Sequence, residues 1–500
     1  MGFRHASRGR WPARLALVTA ASLAGLVIGI GVGCSSTNKG VDTLGAGDDA
    51  SNVFIPPETG GETFDATMMH APEASTGADA EGGAGCGEAG DAGRICGTRC
   101  VDTQNDPANC GDCSVVCANM IPGTVCVLGH CQCPGDGGVQ VCSNTCVDTS
   151  SDPSNCGFCG HNCQGNACMA GLCQPNQIAP TPPAGQVVND IAIDGTNVYW
   201  TWTATSSALP ALSNLAAMPF SAGGKGTPVT GMMPYYGDLR GITTDIQNVY
   251  FVDEYNGSVG YAQLTSTTFS PRYVVPAIDG GMSASQPWDI AVDGQNMYWV
   301  DNGDGTVNQA ALPQGSGAAG PIKVLATQQA HPIAIAVDAQ YVYWINHGTT
   351  QTGTGSVNRI AIGATCGNGC VLTLAASQNQ PEDIAIDSTS VYWTSGSNSG
   401  SVSKVSTTGT QLTVLVQNLG APSGIAVDTA MTLSDPNAER FVYWTNFNDN
   451  TVSKLSLTGT SKTPYPLASQ PAMTPSAIAI DTKNVYWVNR ANGTLWKVAK

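Results

Sequence analysis

An all-β, seven-bladed propeller is the fold that this chain predicts, on three observations. The first is a phrase that recurs seven times, with small variations, between residues 191 and 487: Ile-Ala-x-Asp, a short polar turn, then Val-Tyr-Trp. The second is its spacing. Successive Tyr, at Tyr199, Tyr250, Tyr298, Tyr343, Tyr392, Tyr443 and Tyr486, are 51, 48, 45, 49, 51 and 43 residues apart. Self-similarity at such a period, with room for four short strands per repeat, marks propeller blades. The third is closure. The last repeat stops at Lys500 after three strands, and the stretch ending at Val187–Asp190 precedes the first inner strand without a blade of its own. That stretch is expected to supply the missing outer strand of blade seven, removing an edge that would invite aggregation. Six blades is the alternative, if the first repeat, with its long 201–237 tail, is not a full blade.

The chain opens with Arg4, Arg8, Arg10 and Arg14 and no acid, then the uncharged apolar run Leu15–Gly33, then Cys34. This is the layout of a secretory signal peptide over residues 1–33. A Cys directly after Gly-Val-Gly resembles the lipobox of bacterial lipoproteins, with Gly31 where Leu is usual. The resemblance implies lipid attachment at Cys34 and a place at the outer membrane or cell surface, on either face. An uncleaved anchor is a second reading, because 19 apolar residues just span a bilayer. A plain cleaved signal is the third. All three put the remaining chain outside the cytoplasm.

Residues 34–85 are rich in Gly, Ala, Ser, Thr and acids, with Phe54 and Phe64 the only aromatics. Such a segment buries too little apolar surface to offset the entropy of ordering, and is expected to be a disordered tether. Between Ser35 and Ile95 stand 11 acids and 2 bases, a net −9 of the chain's −17. The acidity thus belongs largely to the tether and argues against a nucleic-acid or anionic-lipid partner.

Sixteen of the 19 Cys form two copies of one eight-Cys unit. Residues 86–131 hold Cys86, Cys96, Cys100, Cys110, Cys113, Cys117, Cys126 and Cys131. Residues 133–173 hold Cys133, Cys142, Cys146, Cys156, Cys159, Cys163, Cys168 and Cys173. Cys110-x-x-Cys113 and Cys156-x-x-Cys159 could open zinc sites or serve as redox dithiols. Export and an even Cys count favour disulfide staples, since about 40 residues cannot hold together by an apolar core alone. Eight Cys allow 105 pairings, and none is assigned. The unit resembles the cysteine-rich repeat of plant stigma-specific secreted proteins, which implies an interaction or spacer module. A linker, 174–186, leads to the propeller, 187–500.

Within each repeat the small, β-branched Ile-Ala-Ile run suits the innermost strand. Val-Tyr-Trp suits the second, whose aromatics would fill the space between blades. A third strand follows a Gly turn, as at Gly305-Thr-Val, and the fourth is variable, as expected of an outer edge. Tyr298-Trp-Val-Asp, Tyr443-Trp-Thr-Asn and Tyr486-Trp-Val-Asn resemble the YWTD repeats of the low-density lipoprotein receptor family. That family usually has six blades, so seven phrases depart from it. The repeated Asp, such as Asp293 and Asp338, are expected to cap the turn after the inner strand. Cys366 and Cys370, flanking Gly-Asn-Gly, are expected to close a small loop.

The loops entering the inner strands and those leaving the second strands emerge at one end. That end collects Asp190, Trp288, Asp289, His331, His347, Glu382 and Asp383, the candidate binding face. A metal or acid–base pair at His331 and His347 is conceivable, but two exposed loop histidines is the plainer reading. Asp301-Asn-Gly-Asp-Gly lacks the distal Glu of a calcium loop and reads as a hairpin turn. No catalytic motif appears, and no cofactor or metal is expected. The reading is a monomeric exported lipoprotein whose propeller binds a protein or glycan partner, with Trp202, Trp288 or Tyr255 as aromatic anchors. A lyase- or lactonase-type enzyme with a channel-mouth site is the alternative. A structural spacer of the cell envelope is a further one.

Overall fold

A computed structural model describes residues 93–500, apart from 135–137, 180–185, 205–211, 220–228, 231–234, 246, 264–270, 276–284, 314–318, 350, 397–398, 430–438, 460–461 and 470–473. The signal segment, Cys34, the tether and Cys86 lie outside the described residues. Among the described residues no helix is long and apolar enough to cross a membrane.

Seven antiparallel sheets make seven blades, the first six running inner to outer in chain order. Their inner strands are Gln186–Ile193, Leu239–Thr244, Pro287–Val292, Pro332–Val337, Pro381–Ile386, Pro422–Val427 and Pro475–Ile480. The first repeat is a full blade, with a short fourth strand at Val229–Thr230, so the six-bladed alternative falls. Closure occurs as expected, from the earlier part of the stretch that leads into blade one. Val187–Asp190 lies inside the inner strand of blade one, whereas Asn176–Gln177, in the stretch read as linker, pairs with the third strand of blade seven.

Side chains alternate across a strand, so the Tyr and Trp of Val-Tyr-Trp point to opposite neighbours. Each interblade core therefore holds the Tyr of one blade and the Trp of the next: Tyr298 with Trp344, Tyr343 with Trp393, Tyr392 with Trp444, Tyr443 with Trp487. Tyr486 meets Trp200 and closes the ring, and Phe251 takes the Trp place beside Tyr199. Trp344, Trp393, Trp444 and Trp487 are fully buried. Truncating any one would cost about 3–5 kcal/mol.

The turn Asp do more than cap. In all seven blades one carboxylate oxygen accepts the Tyr hydroxyl, from 2.7 Å at Asp194, Asp293 and Asp481 to 3.1 Å at Asp428. In six blades the other oxygen accepts two backbone N–H groups of the turn, as Asp293 does from Gln295 and Asn296 at 2.8 Å each. Burial and the neighbouring carboxylate push these Tyr hydroxyls well above their ordinary pKa.

The cysteine modules are stapled by disulfides, and among the described residues every assigned pair stays inside its module. Module one carries Cys96–Cys113, Cys110–Cys126 and Cys117–Cys131. Module two carries Cys142–Cys159, Cys156–Cys168 and Cys163–Cys173 in the same register, plus Cys133–Cys146. Cys100 is also disulfide-bonded. Cys366 and Cys370 are joined, closing the expected small loop. Module two is not a free spacer. Cys156, Cys163, Cys168 and Cys173 pack into the core shared by blades six and seven, and Tyr465 on the outer strand of blade six donates to the Gly171 carbonyl at 3.2 Å. Lys454 is enclosed at this contact, its ammonium 4.5, 5.5 and 5.9 Å from the rings of Phe441, Tyr465 and Phe158.

Candidate functional site

Each of the seven inner strands carries a register slip against the second strand, at its start in six blades and just before Asp190 in blade one. That slip decides the fate of the predicted acids. Asp190, Asp289 and Asp383 are buried there, and each joins two blades. One oxygen of each accepts the N–H of the following residue. The other accepts an N–H from the next blade: Ile242 at 3.1 Å, Ile335 at 2.9 Å and Ile425 at 2.6 Å. They were expected on a binding face, and that expectation is corrected: their lone pairs are committed to the ring. Blades two, four, six and seven carry Gly241, Ala334, Gly424 and Ala477 at this position. A Cβ on Gly241 would lie 2.8 Å from the Asp289 backbone, so the small residue gives room to the neighbour's carboxylate.

His331 and His347 separate in the same way. His331 is exposed, with a left-handed backbone (φ 56°) and Nδ1 3.4 Å from Asn302. His347 is only 1 % exposed; its Nε2 lies 3.5 Å from Glu382 of blade five, itself 6 % exposed. Gly396 makes room for Glu382, since a Cβ there would fall 2.5 Å from its Cγ. The plain reading of two exposed histidines thus holds for His331 alone. The other loop acids form turns. Asp253 accepts the N–H groups of Asp238, Tyr255 and Asn256, and burial pushes its carboxyl up. Asp301 ties Ser285 and Gln286 to the turn N–H of Asp304, which is the hairpin expected of that stretch.

What remains at this end is a cluster that the sequence reading only half found. Trp288 is partly exposed, and the Arg240 guanidinium carbon stands 4.7 Å from its ring centre. Arg240 is held by Asp238 at 2.7 Å and Glu254 at 2.5 Å. Burial works against its charge, but the two carboxylates outweigh it and keep Arg240 above its usual value. Partly exposed Tyr255 follows Glu254 in the same turn. Aligning the repeats would have exposed the cluster, because Arg240, Trp288 and Glu382 share one position, second in the inner strand.

Two Cys trios, Cys110, Cys117, Cys131 and Cys156, Cys163, Cys173, bring their sulfurs within 4.8 Å. All six belong to disulfides, so the closeness reflects stacked staples rather than thiolate ligands.

Residues 390–429 match the low-density lipoprotein receptor repeat class B, from the second strand of blade five through the inner strand of blade six. No curated protein matches the chain. Among solved structures, a virginiamycin B lyase from Staphylococcus aureus is similar over 65 % of this chain and 99 % of its own, at 11 % identity and TM-score 0.49. A chain of a nidogen/laminin complex is similar over 55 % and 90 %, at 17 % identity and TM-score 0.35. A regucalcin from Agrobacterium tumefaciens is similar over 52 % and 89 %, at 13 % identity and TM-score 0.36.

Proposed function

We propose that the protein is an exported, membrane-anchored receptor-like propeller that binds a protein partner through the end bearing Trp288, Arg240 and Tyr255. The observation that carries this reading is the Trp288–Arg240 stack, a partly exposed aromatic held rigid by an ion-paired guanidinium. Trp, Tyr and Arg are the residues that dominate binding energy at protein interfaces. The carboxylates that an enzyme reading would recruit are tied into the ring, and the His347–Glu382 pair is buried against its neighbours. The disulfides support an oxidising compartment outside the cytoplasm, and anchoring through lipidated Cys34 would place the face at the envelope surface. The test is capture of envelope proteins by the full chain and by Trp288→Ala, read by mass spectrometry, with a glycan array in parallel. A protein retained by the wild type and lost with Trp288→Ala supports the reading. Glycan binding alone moves the partner class, and a capture profile identical in the two overturns the site.

A further inference from the structure

The two cysteine modules share a framework, but only one has its docking face covered. In module two that face holds Gly157, Phe158, His161 and Gly171, set against blade six. At the same positions module one has Gly111, Asp112, Val115 and Gly129. Cys173 is 3 % exposed under the propeller, while its counterpart Cys131 is only partly buried and Asp112 is exposed. Module one therefore carries a second copy of a propeller-docking face, uncovered. Its sharpest difference is that an acid, Asp112, stands where Phe158 approaches Lys454.

The propeller carries a second copy of the receiving site. On blade six, Lys454 lies across the strands from Tyr443 and Tyr465 and over the Phe441 ring. On blade four, Arg359 lies across from Tyr343 and Leu372, and its guanidinium carbon is 4.0 Å from the Tyr341 ring centre. Tyr341 and Phe441 hold the same place in their repeats, and so do Leu372 and Tyr465. Among the described residues no other blade pairs a third-strand base with an aromatic there. Blade four differs in being open: Leu372 is 43 % exposed.

We infer that module one of one chain docks on blade four of a second chain, with Asp112 facing Arg359. Asp112 now meets Arg94 at 3.1 Å, both well exposed, a pair weak enough to yield to a better enclosed partner. Docking within one chain is barred by length. Module two is fixed on blade six, blade five intervenes, and Gln132 alone separates Cys131 from Cys133, a reach of about 3.5 Å per residue. A contact between two different surfaces is heterologous, and where it neither closes a ring nor is exchanged reciprocally between two chains it propagates head to tail. On an anchored protein the product is a lateral row of propellers, in place of the monomer expected from sequence.

The test is sedimentation of the full chain in detergent over a concentration series, with Asp112→Ala and Arg359→Ala alone and mixed. The wild type is expected to grow beyond a dimer as concentration rises. Each variant alone should remain monomeric, and the equimolar mixture should stop at a dimer, because each variant keeps one working surface. Charge exchange in one chain, Asp112→Arg with Arg359→Asp, should restore growth. A wild type that stays monomeric throughout, or association that survives both alanine variants, overturns the inference.

Discussion

Lys454→Met should stabilise the protein near neutral pH, and by an amount that falls as pH rises. Lys454 is 6 % exposed among Phe158, Phe441 and Tyr465, and burial lowers its pKa from 10.5 to about 8, against the attraction of Asp428 and Glu439. A lysine that holds its proton less tightly when folded makes the native state less stable wherever the unfolded chain is protonated. The cost is full below about 8, shrinks as pH rises toward 10.5, and vanishes above it. At pH 7 the gap amounts to roughly 3 kcal/mol, and at pH 9.5 to roughly 1 kcal/mol. Methionine removes this cost and keeps most of the volume, while losing cation–π attraction of about 0.5–2 kcal/mol. The net expectation is a gain of about 1–3 kcal/mol at pH 7, with the advantage over wild type falling by roughly 2 kcal/mol by pH 9.5. Urea unfolding of the disulfide-intact full chain at both pH values, comparing midpoints and slopes, measures it. A variant less stable than wild type at pH 7, by a margin that does not change with pH, would show that the lysine is a net stabiliser of the docked module and refute the reasoning.

Other perturbations test other parts of the molecule. Asp383→Ala orphans the buried N–H groups of Ile384 and Ile425 and should cost about 2–5 kcal/mol, seen as a lower denaturation midpoint; a change under about 0.5 kcal/mol would deny the tie. Trp393 Nε1 has no hydrogen-bond partner among the described residues, whereas Trp444 and Trp487 donate to Asn446 and Asn489 at 3.0 Å. Blade five has Ser395 in that place, so Ser395→Asn should add about 1 kcal/mol to thermal or urea stability. Cys34→Ala should move the protein from the membrane to the soluble fraction and abolish incorporation of labelled fatty acid; unchanged fractionation would favour an uncleaved anchor.

The propeller was legible because its signal is repeated and local. Val-Tyr-Trp fixes which faces are buried, and the Asp before it fixes the turn, so seven copies reinforce one register. The closing strand was legible only as a stretch, because Asn176–Gln177 is too short to carry a pattern and its partner is the far end of the chain. The site was harder for a related reason. Asp190, Asp289 and Asp383 read as a loose acidic rim, and only the slip just before each of them turns them inward to a neighbour's N–H. Their alternation with Gly241, Ala334 and Gly424 was visible in the sequence, but it takes the ring to say that the small residues make room for the carboxylates. Module two's docking face differs from module one's by Phe158 and His161, a signal that has meaning only once Lys454 is seen beneath it.

Those three carboxylates also carry a parity argument. A tie on every other junction can run without interruption around an even ring, but seven is odd. These ties join blades one to two, three to four and five to six, so none of them reaches blade seven, where Thr445 of blade six donates to the Ser476 carbonyl at 2.6 Å and Lys500 meets Asp428 at 2.5 Å instead. That is the blade assembled from both ends of the propeller's chain. Module two fills the junction on one side of it, and Ile178 and Ala179, just past the closing strand, fill the junction on the other. The incoming segment thus completes a sheet and also fills both junctions of the one blade that the carboxylate tie does not reach.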